Sequence, residues 1–353
     1  MRRALATLFT LGMLATFLLT IILGLMVAYG TVSIGLAVAL VVVINLAVLF
    51  FGPTLNDFIY GWLYNLEWVE FEEFKTRSPA SADVIEEVTS DYGYNKPRLG
   101  IIPDGNPTAF AYGSGRYNGR IVVTEGCFEY LDDDELAGVV AHELGHITSR
   151  DFIVMTLANT IIQLLYLIAI YSRRIAAMGQ SSSNRKGNAA GILWIVAIAS
   201  YVLWFIGEYG VLYLSRVREY AADGFAAEYT HPDAISMALV KIAYGIVTSE
   251  DNTELEQATQ NIGIMSISQS KDKGVLYHNC EGRGDYDPLM KSFLFDLYNP
   301  WPKLLELNST HPLTGKRVRR LSGMQGASRF DFSDIERRFP VDKARLYYQF
   351  FRD

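Results

Sequence analysis

The sequence predicts a mainly α-helical fold with a small β-sheet, built as four transmembrane helices in two hairpins joined to a water-facing part. Three observations lead there. No residue is charged from Ala4 to Asn56. Two further runs, Phe152–Tyr171 and Gly187–Gly207, are also uncharged and long enough to cross a bilayer as helices. Between the hairpins, three short apolar runs are bounded by Gly, Pro and Asn, the pattern of strands rather than helices.

The first hairpin opens with Ala4–Tyr29, ~39 Å as a helix at ~1.5 Å per residue. Gly30-Thr31 turns the chain, and Val32–Phe51 returns it. A cleaved leader would carry an apolar stretch of only ~7–15 residues ahead of a small-residue cleavage site, so the hairpin is expected to be retained. Phe152–Tyr171 and Gly187–Gly207 form the second hairpin, joined by "SRRIAAMGQSSSNRKGN", which reads as a basic, Ser/Gly/Asn-rich loop. Arg2, Arg3, Arg150, Arg216 and Arg218 on one side outnumber Arg173, Arg174, Arg185 and Lys186 on the other. By the positive-inside rule this puts the N-terminus and the water-facing part in the cytoplasm, with the chain multi-pass in the cell membrane.

Composition excludes some classes. The formal net charge is −7 and there is no basic stripe to meet phosphates, so nucleic acid is not an expected partner. The two cysteines, Cys127 and Cys280, cannot build a disulfide framework and lack the spacing of a thiolate metal cage.

The expected organisation is a hairpin at 1–52, a water-facing part at 53–151, a second hairpin at 152–207, and a closing part at 208–353 with an insertion at 250–308. In the second of these, "LNDFIYGWLYNLEWVEFEEF" has helical spacing and "SPASADVIEEVTSDYGY" starts a helix at Ser-Pro. "RLGIIPD", "TAFAYG" and "GRIVVTEG" are the three strands. The segment Thr108, Ala109, Phe110, Ala111, Tyr112 and Gly113 is expected to be an edge strand, free to pair with an extended peptide. "LDDDELAGVVAHELGHI" begins with Asp132 and has Glu135 three residues on, a capping box, and its helical periodicity runs on into the third span.

That helix carries chemistry. His142 and His146 lie one turn apart on one face and can reach a single ion, with Glu143 beside them. Zinc in a catalytic site takes three protein ligands and keeps one position for water, while a neighbouring carboxylate handles the proton. The chain has five histidines, so two at this spacing around a Glu are not incidental. After the fourth span, "LSRVREYAADGFAAEY" places Glu219 and Asp223 one turn apart. Glu219 is the candidate third ligand. Asp223 can accept the second ring N–H of a ligand histidine. Glu208, three turns before Glu219, is expected to face inward near Thr156 or Thr160, because a lipid-facing carboxylate is costly.

The stretches "AHELGH", "SRVREYAAD", "NPTAFAYG" and "STHP", in this order around the hairpin, resemble the HtpX-type membrane zinc metallopeptidases, relatives of the CAAX prenyl protease family. The resemblance covers most of residues 1–250 and the segment around 309–323. It implies a gluzincin-like cytosolic metallopeptidase domain with one Zn2+ per chain, held by His142, His146 and Glu219, with Glu143 as general base. It also implies endoproteolysis of misfolded or unassembled membrane proteins, with polypeptides and the lipid bilayer as partners. The segment "STHP" is brought near the metal by the resemblance alone, which makes His311 a candidate donor to the oxyanion of the reaction. Two other functions stay open: a dedicated processing protease of a prenylated or lipidated protein, and a non-catalytic membrane scaffold. Residues 250–308 match nothing recognisable and read as a surface loop, with His278 and Cys280 inside it.

Overall fold

The computed structural model describes residues 26, 33–180, 187–248, 276–277 and 286–339. Of the four predicted spans, Ala4–Tyr29 lies outside these residues apart from Met26, as do His278 and Cys280. Among the described residues three helices are long and apolar enough to cross a membrane: α1 (Ile34–Tyr64), and the candidate spans Asp151–Met178 and Gly191–Tyr229 within α6 (Asp151–Gln180) and α7 (Gly187–Tyr229).

The chain divides into two compact units. In the first, drawn from residues 33–52 and 153–213, the apolar helices meet through few polar groups. Asn45 Nδ2 donates to Val41 O and to Gln163 Oε1, both at 2.8 Å, so an amide that would be costly in lipid is satisfied within the unit. Gly207 lets α7 approach α6 closely, since a Cβ there would stand 2.2 Å from Ile162 Cδ1.

The second unit, residues 53–152 and 214–339, holds a four-stranded sheet of order β1-β2-β4-β3. Its strands are β1 (Glu67–Val69), β2 (Arg98–Ile102), β3 (Ala109–Gly113) and β4 (Gly119–Thr124). Strands β2 and β4 run parallel; β1 and β3 flank them antiparallel. Helices α2 (Phe71–Arg77), α3 (Pro79–Tyr92), α4 (Glu125–Tyr130), α5 (Asp133–Thr148) and α8 (Pro232–Thr248) follow in chain order. α9 (Asp287–Tyr298), α10 (Pro300–Glu306), α11 (Thr314–Leu321) and α12 (Phe332–Arg338) complete it. The end of α1 is fixed to the sheet by Asp57, which accepts from Arg120 Nε at 3.0 Å, Arg98 Nη1 at 2.9 Å and Tyr112 Oη at 2.9 Å.

Several expectations are corrected. β1 was expected to be helical: Asn65, at φ 53°, turns the chain and Leu66 N donates back to Tyr60 O, which frees Glu67–Val69 to join β2. The metal-motif helix does not run into the third span as one rod. α5 ends at Thr148, Arg150 takes φ 59°, and α6 starts at Asp151. Of the expected basic loop, 172–180 and 187–188 are helical, and 181–186 lie outside the described residues. Glu208 is exposed and accepts from Trp204 Nε1 at 3.0 Å one turn earlier, so the inward polar pocket is not formed. Of the insertion, 287–298 and 300–306 are helices rather than surface loop, and α9 buries Leu289, Phe293 and Leu294 in the core.

Candidate metal centre

Two local features set α5 in place. Its capping box forms as predicted: Glu135 N donates to Asp132 Oδ1 at 2.9 Å, and Asp132 N donates to Glu135 Oε2 at 3.0 Å. Gly145, between Glu143 and His146, leaves room for α7. A Cβ there would stand 3.2 Å from Ala222 Cα, so the absent side chain sets how near the two helices come.

That approach assembles the ligands. His142 Nε2 and His146 Nε2 face each other at 3.2 Å. Glu219 Oε1 lies 3.4 Å from His146 Nε2, and Glu219 Oε2 lies 3.7 Å from His142 Nε2. One ligand atom from each of the three falls within 4.8 Å of the others. All three residues converge as the sequence predicts.

The other ring nitrogens meet carboxylates. His142 Nδ1 lies 3.1 Å from Asp223 Oδ1, as expected, and His146 Nδ1 lies 2.7 Å from Asp151 Oδ2. Each carboxylate is held by an arginine. Arg317 donates to Asp223 through Nε at 2.8 Å and Nη2 at 2.5 Å, and Arg218 pairs with Asp151. Such partners fix ring orientation and leave Nε2 free to ligate. Asp151, Arg218 and Arg317 were not found from sequence: they lie at no motif spacing from the histidines, and Arg317 comes from a helix 94 residues after Asp223.

The donor set fits zinc. Two imidazole nitrogens and a carboxylate are an N,N,O set of the catalytic type. Glu219 Oε2 and Glu143 Oε2 are buried with no hydrogen-bond partner among the described residues, an unfavourable state that a cation relieves. Electrostatics agree. Coulombic attraction from His311 and Arg317 and a hydrogen bond from His146 outweigh burial and hold the Glu219 carboxyl well below the usual range. Burial lowers His142 below its ordinary value, favouring the neutral ring that ligates. Burial also pushes Glu143 up to about 7.

Beyond the ligands, the structure brings two more predicted features to the same place. His311 is buried, with Nδ1 3.0 Å from Glu219 Oε2, while its Nε2 has no partner among the described residues. β3 is an edge strand and packs against α5, the helix that carries Glu143. Thr108 through Gly113 are all buried. Cys127 is structural: its thiol donates to Thr108 O at 3.2 Å, and burial pushes its pKa up to about 11.

Residues 76–325 match the sequence model of peptidase family M48. A protease HtpX homolog of Pyrococcus furiosus is 31% identical over 312 residues, covering 88% of this chain and 93% of that one. Another, of Pyrococcus abyssi, is 32% identical over 240 residues, covering 67% and 78%. The crystal structure of S. mikatae Ste24p shares the fold with a TM-score of 0.53 at 14% identity. That likeness covers 90% of this chain and 65% of the length of Ste24p. The chain belongs to peptidase family M48 and is an HtpX-homolog metallopeptidase.

Proposed function

We propose that this chain is a multi-pass membrane endopeptidase holding one zinc ion, with its active site on the cytoplasmic side, that cuts misfolded or unassembled membrane proteins. The observation that carries this reading is the convergence of His142, His146 and Glu219 on the helix whose Glu143 sits among them, with edge strand β3 packed against that same helix. It sets a main-chain docking edge beside the proton carrier. A peptide adding to β3 is recognised by its backbone, with little regard for its side chains, as quality control requires.

In this reading His142, His146 and Glu219 hold the ion, and Asp223 and Asp151 orient the two rings. When bound, zinc acts as a Lewis acid that polarises the carbonyl and lowers the pKa of water. Glu143 takes the proton of the attacking water and passes it to the leaving nitrogen; a carboxyl near pH 7 can do both. His311 Nε2 donates to the oxygen that gains charge. The cytoplasmic assignment rests on the arginines flanking the spans, and the substrate class on backbone recognition beside a membrane anchor.

The test is cleavage of a generic unfolded protein by the detergent-solubilised chain, with and without a zinc chelator. Chelator-sensitive cleavage at many unrelated sites is the expected result. A single cut in one lipidated substrate would replace quality control with dedicated processing, and no cleavage by zinc-loaded protein would leave a scaffold.

A further inference from the structure

Helix α10 is a seven-residue helix with an inside and an outside that differ sharply. Its inner residues, Pro302 and Glu306, are buried. Its outer residues are not: Trp301 is 65% exposed, Leu304 60%, Leu305 72%, and Leu307 just beyond 48%. Positions 301, 304 and 305 form one helical stripe. A Trp and three Leu in a single patch are more than scattered surface apolar residues, and such a patch marks an interaction surface.

The patch is rigidly presented. Asn299 caps the helix, accepting from Trp301 N at 2.9 Å. At the other end Arg216 Nη1 donates to Glu306 O at 2.8 Å and to Ser309 O at 2.7 Å. The Glu306 carboxylate accepts from Leu313 N at 3.0 Å and pairs with Lys316. Arg216 belongs to α7, a helix of membrane-spanning length, and its neighbour Val217 is 43% exposed. The apolar stripe is therefore tied to a helix whose earlier residues, 191–207, carry no charge.

We infer that the outer face of α10, Trp301, Leu304, Leu305 and Leu307, inserts into the headgroup–acyl boundary of the bilayer that the chain's own helices cross. A short helix with an apolar face lies in that plane, Trp is favoured there, and exposed Lys303 can extend its ammonium to the headgroups. The inference rests on the membrane reading above and adds a second, interfacial anchor to it. Its consequence is local: five residues after Glu306 comes His311, so the segment that supplies a site residue is moored at the lipid surface.

The full chain is reconstituted into phosphatidylcholine vesicles whose acyl chains carry bromine either near the headgroup or near the bilayer centre. Flotation first establishes membrane association. The emission of Trp301 is then the difference between wild type and Trp301→Phe, which keeps the other four tryptophans. Blue-shifted emission quenched more by shallow than by deep bromine is the expected result. Leu304→Glu with Leu305→Glu should in addition leave hydrolysis of a soluble peptide unchanged and lower cleavage of a bilayer-embedded protein several-fold. Emission typical of water would overturn the inference, and so would blue-shifted emission that no bromine quenches, which would mean that protein covers the patch. Failure to float would instead remove the membrane reading itself.

Discussion

Asp151 Oδ2 lies 2.7 Å from His146 Nδ1, and Arg218, the residue before the ligand Glu219, pairs with the same carboxylate. The site's second histidine is thus oriented by the first residue of α6, a helix of membrane-spanning length. The break at Arg150 makes this possible. A continuous rod would place residue 151 on another side of the helix from His146, more than one turn on, whereas the left-handed residue folds Asp151 back toward the ring.

Asp151→Ala should weaken zinc binding by ~10–100-fold, the usual cost of losing a partner of a ligand histidine. Competitive titration with a chromogenic chelator measures it. Unchanged affinity would mean that the ring is held by packing alone.

Glu143→Gln should keep its zinc and lose hydrolysis, because only the proton carrier is removed. It should also stabilise the metal-free protein in a pH-dependent way. Burial raises Glu143 from 4.5 to about 7, so the folded chain binds this proton more tightly than the unfolded chain. That contribution is fully present below pH 4.5 and lost as pH rises toward 7. The variant should match wild type at the acid end and exceed it by ~3 kcal/mol above pH 7, at ~1.4 kcal/mol per unit. Thermal unfolding of the chelated proteins across this range checks the sign.

His311→Phe should lower kcat by ~10²–10³ with little change in KM, as for loss of one oxyanion donor. The ring's Nε2 is buried and without a partner among the described residues, so no described protein group competes for it. A change confined to KM would move His311 to substrate binding.

Ala111→Pro should cripple peptide cleavage and leave zinc content intact. Proline removes an N–H of the docking edge without breaking a bond to β4: Thr124 N donates to Thr108 O, so the hydrogen-bonded pairs fall at the even positions of β3 and Ala111, opposite Ile121, turns its N–H away from β4. Normal turnover by this variant would rule out β3 as the docking edge.

Gly145→Val should separate α5 from α7. Its branched side chain would meet Ala222 Cα and Phe225, an overpacking cost of ~1–3 kcal/mol. Zinc occupancy should fall together with thermal stability, since the same displacement draws Glu219 away from the histidines.

The sequence by itself determined what depends on neighbours within a few turns. The spacing of His142 and His146 on one helical face, the capping box of Asp132 and Glu135, and the presence of long apolar helices at the second, third and fourth predicted spans are all local patterns, and each stands in the structure where it is described, though the helices run longer than the predicted spans. Glu219 and Asp223 were legible because one turn separates them and the motif helix needed a third ligand. Only the tertiary structure decided the rest. Asp151 depended on a single left-handed residue, and Arg317 on the packing of a helix distant in sequence. β1 became a strand because β2 offered a free edge to residues of ambiguous pattern. Glu208 is exposed and accepts from Trp204, one turn earlier on its own helix. For Asp151, Arg317 and β1 the deciding contact joins segments that no local pattern pairs.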